Sequence, residues 1–164
     1  MLPMVALAAS PVIPNVTTLT FNGGSDYFGT KCTQPKWSGQ LAFGKSTSYE
    51  CTFKDKSVSM LVMGYSITES GNGHGQVSFI RTIAKSKSGY KSLTYAAVSV
   101  GIFNGVEKEI DTWIKNSVPQ VRNQKRLAKT FASKKTASLI KITIIGGPGE
   151  MRTVEIGGNQ RFDR

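Results

Sequence analysis

Apolar residues recur with a period of two over most of the chain, and with a period near 3.6 in one stretch. From Val12 to Phe21 the sequence is β-branched and Thr-rich and ends in Asn22-Gly23-Gly24, which predicts a strand closing on a turn. Residues 25–38, with Gly, Pro and Asp, read as a loop holding one short strand at most. Gly39 to Phe53 alternates loosely, through Leu41 and Phe43 and then Tyr49, Cys51 and Phe53. The break at Gly44-Lys45 divides it into two predicted strands. Lys54-Asp55-Lys56 makes a tight connection to a Val/Met/Leu/Tyr/Ile run over 57–68, fit for a buried strand, and 69–75 has the composition of a turn. Gln76–Ile83 is predicted as a strand with Val77 and Phe79 on one face and Ser78 and Thr82 on the other. A polar loop over Lys85–Gly89 leads to Leu93–Ile102, where the period is again two. Val98, Val100 and Ile102 alternate with Tyr95, Ala97, Ser99 and Gly101, which predicts a half-buried strand.

The period then changes. Val106, Ile110, Trp113 and Ile114 stand at i, i+4, i+7 and i+8, one face of a helix. Asn104 is the predicted N-cap, Glu107, Glu109 and Asp111 load the first turns with negative charge, Lys115 lies near the end, and Pro119 stops the helix. A second short helix is predicted around Leu127–Phe131. Leu139–Ile145, Gly146-Gly147-Pro148-Gly149 and Met151–Ile156 form a hairpin signature. The expected fold class is α+β: an antiparallel β-meander sheet, followed by one or two helices packing on one face, with a C-terminal β-hairpin extension. Residues 1–118 would hold the sheet and helix, and 119–164 a basic segment and hairpin extending the same domain.

Charge sharpens this picture. The 164 residues carry 21 Lys+Arg against 10 Asp+Glu, a net +11, and the excess is uneven. Residues 1–82 hold six cations and four anions (+2); residues 83–164 hold fifteen and six (+9). Between Thr112 and Gly149 eight cations (Lys115, Arg122, Lys125, Arg126, Lys129, Lys134, Lys135, Lys141) meet no carboxylate. A field of one sign attracts polyanions, either nucleic acid or an anionic membrane surface, whereas the plainer reading is a solvated surface kept apart by self-repulsion. At 39% hydrophobic and 19% charged, the chain is too apolar for a disordered one. No run of eighteen apolar residues exists, so no membrane-spanning helix is predicted.

Little in the sequence supports catalysis. Two Cys and one His cannot supply a four-ligand zinc site of those residues, and no metal or cofactor is expected. His74, the single histidine, sits in Gly73-His74-Gly75 with no nucleophile motif near it and reads as part of a turn; a hydrolase built on it ranks last. Glu107 and Glu109 are two apart on a helix and do not face each other. Gly146–Gly149 lacks a following Lys-Ser or Lys-Thr and a helix start, so it is a turn and not a phosphate cradle. Cys32 and Cys51 are candidates for a disulfide, which would close a loop worth about 3 kcal/mol in the chain-entropy model and suit an oxidising compartment or an assembled extracellular particle; two buried thiols are the alternative. Asn15-Val16-Thr17 fits the glycosylation sequon but matters only in a eukaryotic secretory setting. Met1–Pro11, with Ala6-Leu7-Ala8, has the look of a secretory cleavage region without a basic start; it is read as a mature N-terminal arm, with secretion as the second choice.

The order of several antiparallel strands and then a helix, carried locally by Tyr95-Ala-Ala-Val-Ser-Val-Gly-Ile-Phe103 and Asn104-Gly105 leading into Val106–Ser117, resembles the coat proteins of single-stranded RNA bacteriophages. The likeness covers residues 12–118 in element order. It implies two subunits pairing into one continuous sheet, with helices on the outer side and the inner side facing RNA. Val98, Val100 and Ile102 would then face the helices, and Tyr95, Ala97 and Ser99 the RNA. About 45 residues after Pro119 have no counterpart in that plan and would be an added intersubunit or RNA-contacting element.

Such a subunit needs cations for phosphates and aromatic faces for bases. The first candidates, on or near the predicted sheet, are Lys54, Lys56, Arg81, Lys85, Lys87, Lys91 and Tyr95, although for any one of them taken alone an ordinary exposed side chain is the favoured reading. The leading expectation is a non-enzymatic coat subunit of a virion assembled in the host cytoplasm. Its partners would be single-stranded RNA and a second copy of itself, as a homodimer building a larger shell. The alternative is a secreted or periplasmic β-rich binding, inhibitor or immunity-type domain with one disulfide.

Overall fold

Among the described residues, eight strands and two α-helices make an α+β fold. The computed structural model describes residues 12–17, 30–32, 36–41, 44–53, 56, 58–65 and 75–157. The strands are β1 (Thr30–Cys32), β2 (Lys36–Leu41), β3 (Gly44–Phe53), β4 (Val58–Tyr65), β5 (Gln76–Ala84), β6 (Arg126–Ala132), β7 (Leu139–Gly146) and β8 (Arg152–Gly157). Helices α1 (Tyr90–Asn104) and α2 (Glu107–Ser117) lie between β5 and β6. All pairings are antiparallel, in the order β1-β3-β4-β5-β8-β7-β6. β4 occupies one edge of β3, so β1 and β2 lie end to end along the other. The hairpin β7–β8 does not trail from the sheet: β8 pairs with β5 from Phe79↔Gly157 to Ala84↔Arg152 and continues it.

Alternation along the strands divides the sheet into two faces. Met60, Val62, Ile80, Ile142, Ile144, Val154 and Ile156 point inward and are buried. Across the central strands Val62, Ile80, Ile156 and Ile142 stand opposite one another in one row. Burying a row of branched side chains at roughly 1.5–3 kcal/mol each is the main force holding this face together. The predicted faces of β5 need correction. A bulge opposite Met63/Gly64 gives Ser78 an extra place in the strand, so Val77 and Ser78 are both buried. Beyond it Ile80, Thr82 and Ala84 face the core, while Phe79, Arg81 and Ile83 face out.

The stretch predicted as a half-buried strand, Leu93–Ile102, is helix α1. Leu93, Ala97, Val100 and Asn104 are buried at helical spacing, with Ala96, Ser99 and Gly101 beside them. The helix is enclosed by the sheet on one side and by α2 on another, so it lacks the broad polar face by which helices are read from sequence. Two of its buried hydroxyls are satisfied within the helix: Thr94 Oγ1 donates to the Lys91 carbonyl (2.8 Å) and Ser99 Oγ to that of Tyr95 (2.7 Å).

Asn104 is not the N-cap of the next helix but the last residue of α1. Its side chain is fully used. Nδ2 donates to the carbonyls of Pro14 and Val100 (both 2.8 Å), and Oδ1 accepts from Asn15 Nδ2 (3.0 Å) and Ser133 Oγ (2.8 Å). Gly105, at φ +70°, ends α1, and the Val106 N–H donates to the Gly101 carbonyl at 2.9 Å, a Schellman closure. Residues 12–17, predicted as part of a strand, form a turn at Pro14-Asn15 and one bridge, Thr17↔Gln76. The short helix predicted around Leu127–Phe131 is strand β6, entered through a turn in which Asn123 (φ 54°) and Gln124 (φ 63°) are both left-handed and the Lys125 N–H donates to the Arg122 carbonyl at 3.1 Å. The remaining elements lie close to their predicted spans, including α2 and the turn at Gly147–Met151 between β7 and β8.

Candidate nucleic-acid interface

The residues singled out as RNA contacts do not form one surface. Arg81 is on the outward face of β5, where its Nε meets Glu155 Oε1 at 3.1 Å and its guanidinium lies 5.3 Å from the Phe79 ring centroid. Lys56, after β3, and Lys85, after β5, are exposed at one end of the sheet. Lys87 follows in a short 3₁₀ turn, 3.9 Å from Glu150. Lys91 and Tyr95 are four apart on the outer side of α1, on the helix side of the molecule. Lys54 lies outside the described residues, as does His74. The implied placing of Tyr95, Ala97 and Ser99 on an RNA-facing strand is overturned with the strand itself: Ala97 and Ser99 are buried in α1.

On the outward sheet face Arg81, Arg126 and Lys141 stand with Glu50 and Glu155. A denser run of cations lies at the β6 margin. β6 has β7 on one side and, among the described residues, no strand on the other. Its turn brings exposed Arg122 and Lys125 to one end. Arg126 and Lys129 project to opposite faces of the strand, and Lys134 and Lys135 follow in the loop to β7. Of these only Lys134 makes an ion pair among the described residues, with Glu109 at 2.7 Å. Seven strand residues span roughly 20 Å, so this margin presents cations at both ends and along its length.

Beside β6 runs α2. Ile110, Ile114 and Ser117 are its buried side; Glu109, Thr112, Trp113 and Asn116 face the margin. Trp113 packs edge-to-face on Phe131 of β6, with ring centroids 5.7 Å apart, and Lys129 Nζ lies 5.3 Å from the same Phe131 ring. The result is an open groove of about 610 Å³ lined by Lys108, Glu109, Thr112, Trp113, Asn116 and Lys129. The hydrogen bond from Lys134 holds the Glu109 carboxyl below its ordinary range and partners its charge. The sequence marked these cations as a run and Trp113 as a core residue of α2. It did not bring them together, because Lys129 reaches Trp113 only through the strand register of β6.

Cys51 is buried and disulfide-bonded, and its register partner across β1–β3 is Cys32. Asn15, the sequon residue, has its amide engaged with Asn104. Among the described residues no group of three or more His, Cys, Asp or Glu is placed to hold a metal, and no helix is long and apolar enough to cross a membrane. The chain matches no protein-family model, no curated protein and no solved structure.

Proposed function

We propose that this chain is a self-assembling coat subunit that packages single-stranded RNA and performs no catalysis. The observation that carries the reading is the β6 margin, where Arg122, Lys125, Arg126, Lys129 and Lys135 are exposed and, among the described residues, have no carboxylate paired to them. Unpaired cations along an extended rim suit a flexible polyanion, because each phosphate neutralised releases counterions. Residues 12–118 keep an order of antiparallel strands followed by helices, as the resemblance to the phage coats implies, but the stretch that carried it locally is helix α1 and three more strands follow. Self-association draws support from the margin itself: an unpaired strand edge invites pairing with another copy, and its cations hold two bare edges apart until an anion neutralises them.

Size-exclusion chromatography of freshly expressed protein, with light scattering and the 260/280 nm ratio read together, tests this. A large particle rich in 260 nm absorbance is the expected result. A monomer or dimer free of nucleic acid at moderate salt would sink the proposal. The disulfide at Cys51 favours a second reading, a β-rich binding domain working in an oxidising compartment. That reading would lead if the protein ran as a small, nucleic-acid-free species with its thiols blocked to alkylation.

A further inference from the structure

We infer that the groove between α2 and β6 is a nucleotide-binding notch, in which one base of a single-stranded RNA packs against Trp113 while Lys108 and Lys129 hold the flanking phosphates. The inference rests on the RNA-packaging reading and assigns it a site.

Four features of the groove converge on this ligand. Trp113 is only half-buried, so the groove has an aromatic wall open to solvent, and any base offers a π-face to such a wall. Lys108 and Lys129 are exposed and make no ion pair among the described residues, one from the helix and one from the strand, so they flank the indole from two sides. The carboxylate that would repel a phosphate there, Glu109, is engaged by Lys134 at 2.7 Å. Thr112 and Asn116, one turn apart on α2, place a hydroxyl and an amide on the same side as the indole, able to donate to or accept from a base edge. Lys129 belongs both to the groove and to the cationic rim, so a strand laid along β6 would meet the notch without leaving its phosphate contacts.

The chain has two tryptophans, Trp37 and Trp113, so a Trp37→Phe protein reports on the groove by fluorescence. The probe is a labelled twelve-nucleotide oligouridylate, followed at once by anisotropy and by quenching of the indole. Binding should quench Trp113 saturably, with the same midpoint by both signals. Lys108→Gln and Lys129→Gln should each lower the slope of log K against log salt by about 0.7. Trp113→Leu, which keeps an apolar contact for Phe131, should weaken binding about 5-fold or more. Should Trp113→Leu lose its fold, as judged by its melting curve, the quench and the two lysine variants still decide. Anisotropy binding with no quench and wild-type lysine slopes would overturn the notch while leaving RNA packaging intact. An equal quench by inorganic polyphosphate would overturn the base contact. No anisotropy change at low salt would remove both proposals together.

Discussion

Two buried polar side chains, Arg152 and Thr82, show how differently the interior treats a satisfied and an unsatisfied group. Arg152 is 1% exposed, yet its Nε donates to the Val118 carbonyl (3.0 Å) and its Nη1 to those of Gly149 (3.0 Å) and Met151 (2.8 Å), while its guanidinium lies 5.6 Å from the Tyr90 ring centroid. No carboxylate pairs with it among the described residues; carbonyl dipoles and an aromatic face carry the charge. Arg152 thereby ties the β7–β8 turn to the end of α2. Thr82, fully buried in β5 between Met60 and Val154, has no hydrogen-bond partner for its hydroxyl among the described residues. Substitutions at the two sites should therefore move stability in opposite directions. Thr82→Val removes an orphaned hydroxyl at equal shape and should leave stability unchanged or raise it by about 1 kcal/mol. Arg152→Met strands the carbonyls of Val118 and Gly149 and should cost about 2 kcal/mol, the relief of burying one less charge offsetting part of the loss. Urea denaturation of both variants checks this; a Thr82→Val protein less stable than the parent would show that the hydroxyl has a partner.

At the scale of elements, what was legible depended on whether an element has a wet side. α2 has one, and its apolar spacing with Pro119 after it marked its span. β7 and β8 alternate cleanly, and the glycines between them marked the turn. α1 is enclosed on most of its circumference, and the chance alternation of Val98, Val100 and Ile102 imitated a strand. β6 failed in the opposite way. At an open edge only Phe131 of its seven residues is buried, so its apolar pattern was too thin to read, and with it went the register that forms the groove. Gly101 offers a test of the α1–α2 packing. A Cβ there would lie 2.6 Å from the Glu107 Cα, so the helices touch backbone to backbone. Gly101→Ala gains helix propensity of about 1 kcal/mol but must push α2 away, and overpacking of this kind costs about 1–3 kcal/mol. A melting temperature lowered by several degrees is expected; a raised one would contradict the close approach.

For the molecule as a whole, the central fact is that β5 is flanked by β4 from the first half of the chain and by β8 from the far end. Residues 12–118 taken alone would leave Ile80, Thr82 and Ala84 without Ile156, Val154 and Arg152 opposite them, and α1 without the β8 surface it contacts. A chain cut after Pro119 should thus show no cooperative unfolding transition by circular dichroism, whereas a sharp transition would mean that the C-terminal strands are dispensable. The order of synthesis gives the same pairing a second meaning. As the polypeptide leaves the ribosome, β5 and both helices emerge long before β8, and β5 must wait as a bare edge. The middle of the sheet closes last, on a loop of about seventy residues, a slow kind of closure. A nascent chain is therefore unfinished until β8 is released.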